Sequence, residues 1–308
     1  MREVRALRAD RRGTAIALAR SDRIFLAVVY GIILLGTLIV LYPLLYVLAA
    51  SFSSPSAVTQ GRVVIWPVEF TLAGYKQVLA YQRVGIGYRN TIFYTLAGTT
   101  INVFVTLICA YPLSRKGLPH RNFFTFLFAF TMMFGGGLMP TYLLLNRLGM
   151  VNTVWAILIP GALSAYQMIV VRTFFASTIP DDLLESAKID GCNDYQFFWY
   201  FVLPLSTAVI AVIGLQYAVG HWNSYFSAMI YLQNPDLYPL QVFLREILVM
   251  SQIDTPEFMD DHAAEAIQSM KNLIKYALIV VSTAPILSIY PLIQKYFVKG
   301  VMIGSIKG

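Results

Sequence analysis

Six stretches of this chain run for roughly twenty residues or more without a charged side chain, which leaves few folds open to it. A helix needs about 20 apolar residues to cross roughly 30 Å of hydrocarbon, where no backbone group can go unpaired. The runs cover residues 24–50, 91–114, 122–146, 148–171, about 199–230, and 276–294. The composition agrees: 57% of residues are hydrophobic, 13% are charged and the mean hydropathy is +0.64. A soluble surface needs about 25% charge, so water is excluded as the main solvent. The fold expected is an all-α integral membrane protein with six transmembrane helices.

Six crossings return the chain to its starting side, and the basic residues say which side that is, because short loops rich in Lys and Arg stay in the cytoplasm. Seven Arg residues lie in the first 23 positions. Arg115, Lys116 and Arg121 follow the second run, Arg172 and Lys188 follow the fourth, and Lys295, Lys299 and Lys307 follow the last. These fifteen cations face eight acids, against eight and eight on the opposite side, so the whole +7 excess sits with the termini. The organisation expected is a cytoplasmic basic tail (1–23), a transmembrane domain (24–294) and a cytoplasmic C-terminal tail (295–308).

Several function classes fall away. Anionic lipid accounts for the basic tail, and no folded module or interleaved aromatic run beside it suggests nucleic acid. The first apolar run is about twice the length of a signal-peptide core, so it is read as a retained span. Cys109 and Cys192 fall in different compartments of the fold and stay reduced, and His120, His221 and His262 add no metal-ligand spacing.

Between the fourth and fifth runs lies IPDDLLESAKIDGCNDYQFFWYFVLP, residues 179–204. Pro180 suits a first turn, Asp181 and Asp182 suit its positive end, and Gly191 is a left-handed stop, so a helix of about ten residues is predicted. Leu183, Leu184 and Ala187 share one side, and the small pair Ser186 and Ala187 permits close approach of another surface. From the pattern alone, a docking helix and an ordinary interfacial helix resting on headgroups are equal alternatives.

Glu185, Ser186 and Ala187, then Gly191, then Leu203 and Pro204 resemble the EAA loop of binding-protein-dependent ABC importer permeases: E-A-A, three residues, G, nine residues, I-x-L-P. Every spacing is kept; Ser186 replaces the second Ala and Phe201 replaces Ile. The C-terminal run Tyr290, Pro291, Gln294, Lys295, Tyr296, Phe297, Val298, Lys299 and Gly300, with Gly304 and Gly308, is similar to sugar permeases of the maltose-importer class, especially the branch for complex oligosaccharides and polysaccharide fragments. The resemblance implies a type I ABC importer permease bundle in a bacterial cell membrane. It also implies an ATPase-coupling set of Leu184, Glu185, Ser186, Ala187, Asp190, Gly191, Leu203 and Pro204, with Lys299 to Gly308 reaching between the ATPase subunits. Its implied partners are a second, non-identical permease, two ATPase subunits and an extracytoplasmic substrate-binding protein.

No G-x-x-x-x-G-K-[ST] phosphate loop occurs, so ATP and Mg are expected on the ATPase and no cofactor on this chain. The expected role is translocation, without a catalytic or metal site. A transport path should show as polar residues and helix breaks that lipid would not tolerate on an exposed face. The third run supplies Gly135, Gly136, Gly137, Pro140 and Tyr142; the fourth supplies Pro160, Gly161, Tyr166 and Gln167; the fifth supplies Gln216, Tyr217, His221, Trp222, Asn223 and Tyr225. Aromatic faces and amides suit sugar C–H and O–H groups and point to a neutral, polar substrate. An interfacial aromatic belt and ordinary helix packing are the competing explanation for these residues.

Outside the membrane, Leu240, Phe243, Leu244, Ile247 and Leu248 predict an amphipathic helix over 239–250, followed by an acidic stretch of Asp254, Glu257, Asp260, Asp261 and Glu265. Both that stretch and the other large external loop, 51–90, read either as binding-protein contacts or as solvated loops. A secondary transporter would carry a buried ionisable residue for ion coupling, which the first four runs lack, and a membrane enzyme would need a catalytic pair or metal cluster. Within the importer class the alternative is another polar solute, such as an amino acid or peptide.

Overall fold

The computed structural model describes residues 20–250, 271–289 and 291. The N-terminal tail to residue 19, the acidic stretch Asp254 to Glu265 with His262, and the C-terminal motif from 292 onward lie outside the described residues. The described residues are helical throughout their ordered elements. The first helix, α1, spans Arg20–Ser51 and α2 spans Gln82–Ser114, with two short helices, Pro55–Thr59 and Ala73–Ala80, in the loop between them. Then follow α3 (Arg121–Met133), α4 (Leu138–Arg147), α5 (Ala165–Thr178), α6 (Asp181–Ile189) and α7 (Asp194–Leu205). The last three are α8 (Thr207–Trp222), α9 (Leu240–Met250) and α10 (Lys271–Ile289).

Helix α2 organises the rest: α8, α5 and α9 all pack along it. Its 33 residues extend about 50 Å at 1.5 Å per residue, longer than the hydrocarbon layer, so both its ends project into polar surroundings. It carries buried polar side chains that hold the neighbouring segments through their backbones. At one end the Asn90 amide donates to the carbonyls of Asp236 (2.7 Å) and Tyr238 (3.0 Å), Tyr94 donates to Leu237, and Thr91 accepts from the Leu240 N–H. Buried backbone groups need such partners, which make an irregular turn tolerable beneath the surface. At the other end Leu107, Ala110 and Leu113 enter an apolar core with Met168, Val171 and Phe175 of α5, Phe197 and Val202 of α7, and Ile213 of α8.

Among the described residues α1, α2 and α10 are long and apolar enough to span alone. The predicted spans are corrected in detail. The second helix begins at Gln82 rather than Thr91, so the 51–90 loop is shorter than expected. The third predicted run is broken at Phe134–Gly137 into α3 and α4, bent by 110°, because three successive glycines disfavour continued helix. The fourth is not one helix: after a four-residue helix at Trp155–Leu158 the chain is irregular around Pro160 and Gly161, and α5 runs on past Val171 to Thr178. The fifth starts at Asp194, bends by 80° at Ser206, and ends at Trp222, with Phe226–Tyr231 a separate short helix. The amphipathic helix expected over 239–250 is present as α9, its Leu240 and Phe243 buried.

Among the described residues most of α1 is uncovered; Ile24, Leu34 and Leu44 are each 60% exposed or more. Its end packs against the described residues, where Ala49 and Ala50 meet Ala57, Val58 and Val63, and Tyr46 meets the edge of Tyr276 at 5.9 Å.

Candidate functional site

Two groups of residues answer to the sequence reading. The first is the loop around α6. Pro180 precedes the helix in extended conformation, Asp181 and Asp182 occupy its first turn, and Lys188 its last, all favourable to the helix dipole. The helix ends as predicted: Gly191 has φ +84°, its N–H donates to the Lys188 carbonyl (3.0 Å), and the Cys192 N–H reaches back to Ala187 (2.9 Å). That is the paired bonding of a Schellman stop, which needs a left-handed residue at this position. Asn193 then caps α7 in a reciprocal box with Gln196, and Lys188 pairs with Asp194 at 3.1 Å.

The face of α6 divides sharply. Ala187 is 5% exposed and packs inward with Leu183 and Leu184 against the α2–α5–α7 core. Glu185, Ser186, Asp190 and Gly191 are exposed. Leu203 is half-buried and Pro204 exposed. Pro204 has no N–H to offer, and the preceding turn, Phe198–Val202, widens to π-helical geometry just before the bend at Ser206. The final Leu-Pro of the motif therefore shapes the corner between α7 and α8.

Sequence reasoning missed two features here. Ile189 is 87% exposed beside the polar face of α6, with Tyr195 72% exposed nearby; its place on the outer side of α6 was the only available signal. The other is Arg115, buried beneath α6, whose counterion Asp181 was legible only as a dipole-favouring acid. Arg115 and Asp181, together with Lys116, Glu185 and Lys188, bound an open cleft of about 730 Å³.

The second group is the polar set of the helices. Tyr217 is buried, its hydroxyl 2.8 Å from Thr106 on α2 and accepting from the Ser164 N–H. His221 Nε2 lies 2.8 Å from the Asn102 side-chain oxygen, while the Asn102 amide donates to the Gly161 carbonyl. Asn102 therefore supports the chain break at Pro160–Gly161 and fixes the imidazole at once. Trp222 is buried with its indole N–H on the Ser282 carbonyl, tying α8 to α10. Tyr142 stacks on Tyr231. By contrast Tyr166, Gln216, Asn223 and Tyr225 are exposed and Gln167 is half-exposed. The Gln167 amide donates to Gln216 across α5 and α8, and Arg245 lies 5.7 Å over the Tyr225 ring. Among the described residues no group of His, Cys, Asp and Glu is arranged to hold a metal.

No family model matches the chain. It is 39% identical over 290 residues to the polygalacturonan/rhamnogalacturonan transport system permease protein YtcP of Bacillus subtilis, covering 93% of this chain and 99% of that one. It is 40% identical to the protein LplC of the same organism, over 88% and 90% of the two chains. A solved structure of a bacterial ABC transporter involved in import of the acidic polysaccharide alginate contains a chain that matches with a TM-score of 0.81 at 36% identity, over 91% of this chain and 99% of that one. Full-length identity at this level shows that the chain belongs to the permease family of bacterial carbohydrate ABC importers, as a multi-pass, non-catalytic translocation subunit of a binding-protein-dependent system for oligo- and polysaccharides.

Proposed function

We propose that this permease crosses the membrane six times with both termini cytoplasmic, docks on an ATPase through α6, and shares its substrate path with a second, non-identical permease. The observation that carries the reading is the exposed polar strip of α5 and α8. Tyr166, the Gln167–Gln216 pair and Asn223 lie on the surface of the isolated chain, yet they belong to apolar membrane helices. Amides on a lipid-facing surface would be costly, so this face is the one turned to the path and the partner permease. Gln216, Gly220 and Asn223 recur at helical spacing on it.

The relatives carry names that refer to polygalacturonan, rhamnogalacturonan and alginate, and the substrate proposed here is an oligosaccharide from polysaccharides of that kind. The strip offers three amides and one phenol for sugar hydroxyls and no cation of its own. Selection for a carboxylated sugar would then fall to the extracytoplasmic binding protein, with the permease recognising the hydroxyl pattern common to neutral and acidic chains.

Coupling follows from rigidity. Because Ala187 of α6 is set in the same apolar core as Phe175 and Phe197, a displacement of α6 by closing ATPase subunits moves the helical bundle with it. Nucleotide and loaded binding protein must both favour the outward-open state for this to perform transport. The test is ATP hydrolysis by the importer in liposomes with its binding protein and a panel of neutral and acidic oligosaccharides. Stimulation by one class, abolished by Glu185→Ala combined with Gly191→Asp, is expected. An ATPase that never co-purifies with the permease would refute the docking role.

A further inference from the structure

The cytoplasmic end of α2 carries a cation that neither the docking surface nor the path employs. Arg115 is 9% exposed, and its guanidinium lies 5.2 Å from the Tyr111 ring centroid on α2 and 5.7 Å from that of Phe197 on α7. Its Nη1 points to the Ile179 carbonyl at the end of α5 (3.4 Å) and stands 3.7 Å from Asp181 Oδ1, the first residue of α6. One side chain therefore meets all four segments that converge on the coupling loop. The other oxygen of Asp181 is 2.9 Å from Lys116 Nζ, so the carboxylate at the head of α6 faces the two successive cations that follow α2.

The contact is incomplete in a way that matters. A formed charge-assisted bond between guanidinium and carboxylate spans about 2.7–2.9 Å, well under the 3.7 Å seen here. The Nε and Nη2 atoms are enclosed without a well-formed hydrogen bond among the described residues, the guanidinium interacting only weakly with the Tyr111 hydroxyl. Buried guanidinium groups ordinarily fill their donors, and this one is held largely by aromatic faces. Movement of α6 toward α2 by about 1 Å would close the ion pair to full bonding distance, and movement away would release it. A contact whose strength differs between two positions of α6 is what thermodynamic linkage requires of a coupling element.

We infer that Arg115 is a positioning residue that links displacement of α6 to α2, its contact with Asp181 tightening in one transport state and loosening in the other. The inference rests on the reading of α6 as the ATPase-docking helix. Lys116 does not share the role: its side chain is 83% exposed, where solvent and salt screen the pair. A lysine at 115 would keep the charge and lose the planar group that lies near both rings.

The test uses the complete importer in liposomes with its binding protein and a stimulating oligosaccharide. It reads ATPase co-purification, hydrolysis rate and oligosaccharide moved per ATP. Arg115→Lys and Asp181→Asn should co-purify and hydrolyse ATP as wild type does, yet move at least about fivefold less substrate per ATP, within the usual range of coupling between sites. The double variant should be no worse than either single one, and Lys116→Ala should behave as wild type. Should Arg115→Lys not assemble, Asp181→Asn decides alone, since it neutralises one partly exposed carboxylate. A wild-type ratio in the single variants, or losses that multiply in the double, overturns the inference. Glu185→Arg, run in parallel, should strip the ATPase from the permease; retention of the ATPase there removes the docking reading itself, a result separate from the transport ratio.

Discussion

Adding one methyl group at Gly98 should destabilise the subunit, against the sign that helix propensity dictates. In an isolated helix, Gly→Ala is worth about 0.8–1 kcal/mol in favour of Ala. In this fold a Cβ at Gly98 would run into the imidazole of His221, which crosses α2 at that point. If the helices separate to make room, overpacking costs about 1–3 kcal/mol. If the ring swings away instead, it abandons the Asn102 oxygen, leaving an acceptor on a residue only 1% exposed without its partner, at about 1–3 kcal/mol. Either route offsets the propensity gain, and a net loss of about 1–2 kcal/mol is expected. The control reverses the sign: in a His221→Ala background the clash is gone, and Gly98→Ala should become neutral or stabilising. The assay is the thermal midpoint of the detergent-purified importer at a fixed heating rate, for wild type, both single variants and the double. A midpoint raised by Gly98→Ala alone, or a lowering that persists without the imidazole, would refute the packing argument.

Two further outcomes follow from the geometry outside the membrane helices. Glu69 accepts from Ser54 at 2.5 Å and pairs with Arg62 at 2.9 Å, and these contacts hold its carboxyl below the ordinary value of 4.5. A depressed carboxylate stabilises the fold above its unfolded pKa and loses that contribution as pH falls through the folded value. Hydrogen exchange across 54–70, corrected for intrinsic rates, should therefore hold steady above about pH 5 and rise below about pH 4, and Glu69→Gln should abolish the transition. At Gly191 the backbone is left-handed with open space around the missing Cβ. Gly191→Ala should cost about 1 kcal/mol through strain alone and Gly191→Asn less, measured as thermal midpoint and oligosaccharide-stimulated hydrolysis; equal effects of the two would argue against a conformational role.

Much of this architecture is legible in the residues because the signals are local. A hydrocarbon solvent shows in the sequence as long uncharged runs, so hydropathy alone marks the membrane class and the approximate position of each apolar run. Pro180, the acids after it and Gly191 act within one helix, and α6 begins and ends where they require. The spacing from Glu185 to Pro204 points to the importer family, which full-length similarity bears out. The breaks are less legible. Pro160 and Gly161 interrupt the fourth run because Asn102, distant in sequence, supplies a donor to the freed carbonyl, and nothing nearby announces that partner. Tyr217, His221 and Trp222 look in the sequence like the exposed amides and tyrosines of α5 and α8, since polarity does not record which way a helix is turned. Only tertiary packing against α2 and α10 commits those three to interhelical bonds and leaves Tyr166, Gln167, Gln216 and Asn223 at the surface. Arg115 shows the same division: its charge marks the cytoplasmic side, while its burial between Tyr111 and Phe197 arises where four helix ends converge, a property of the folded bundle and of no segment within it.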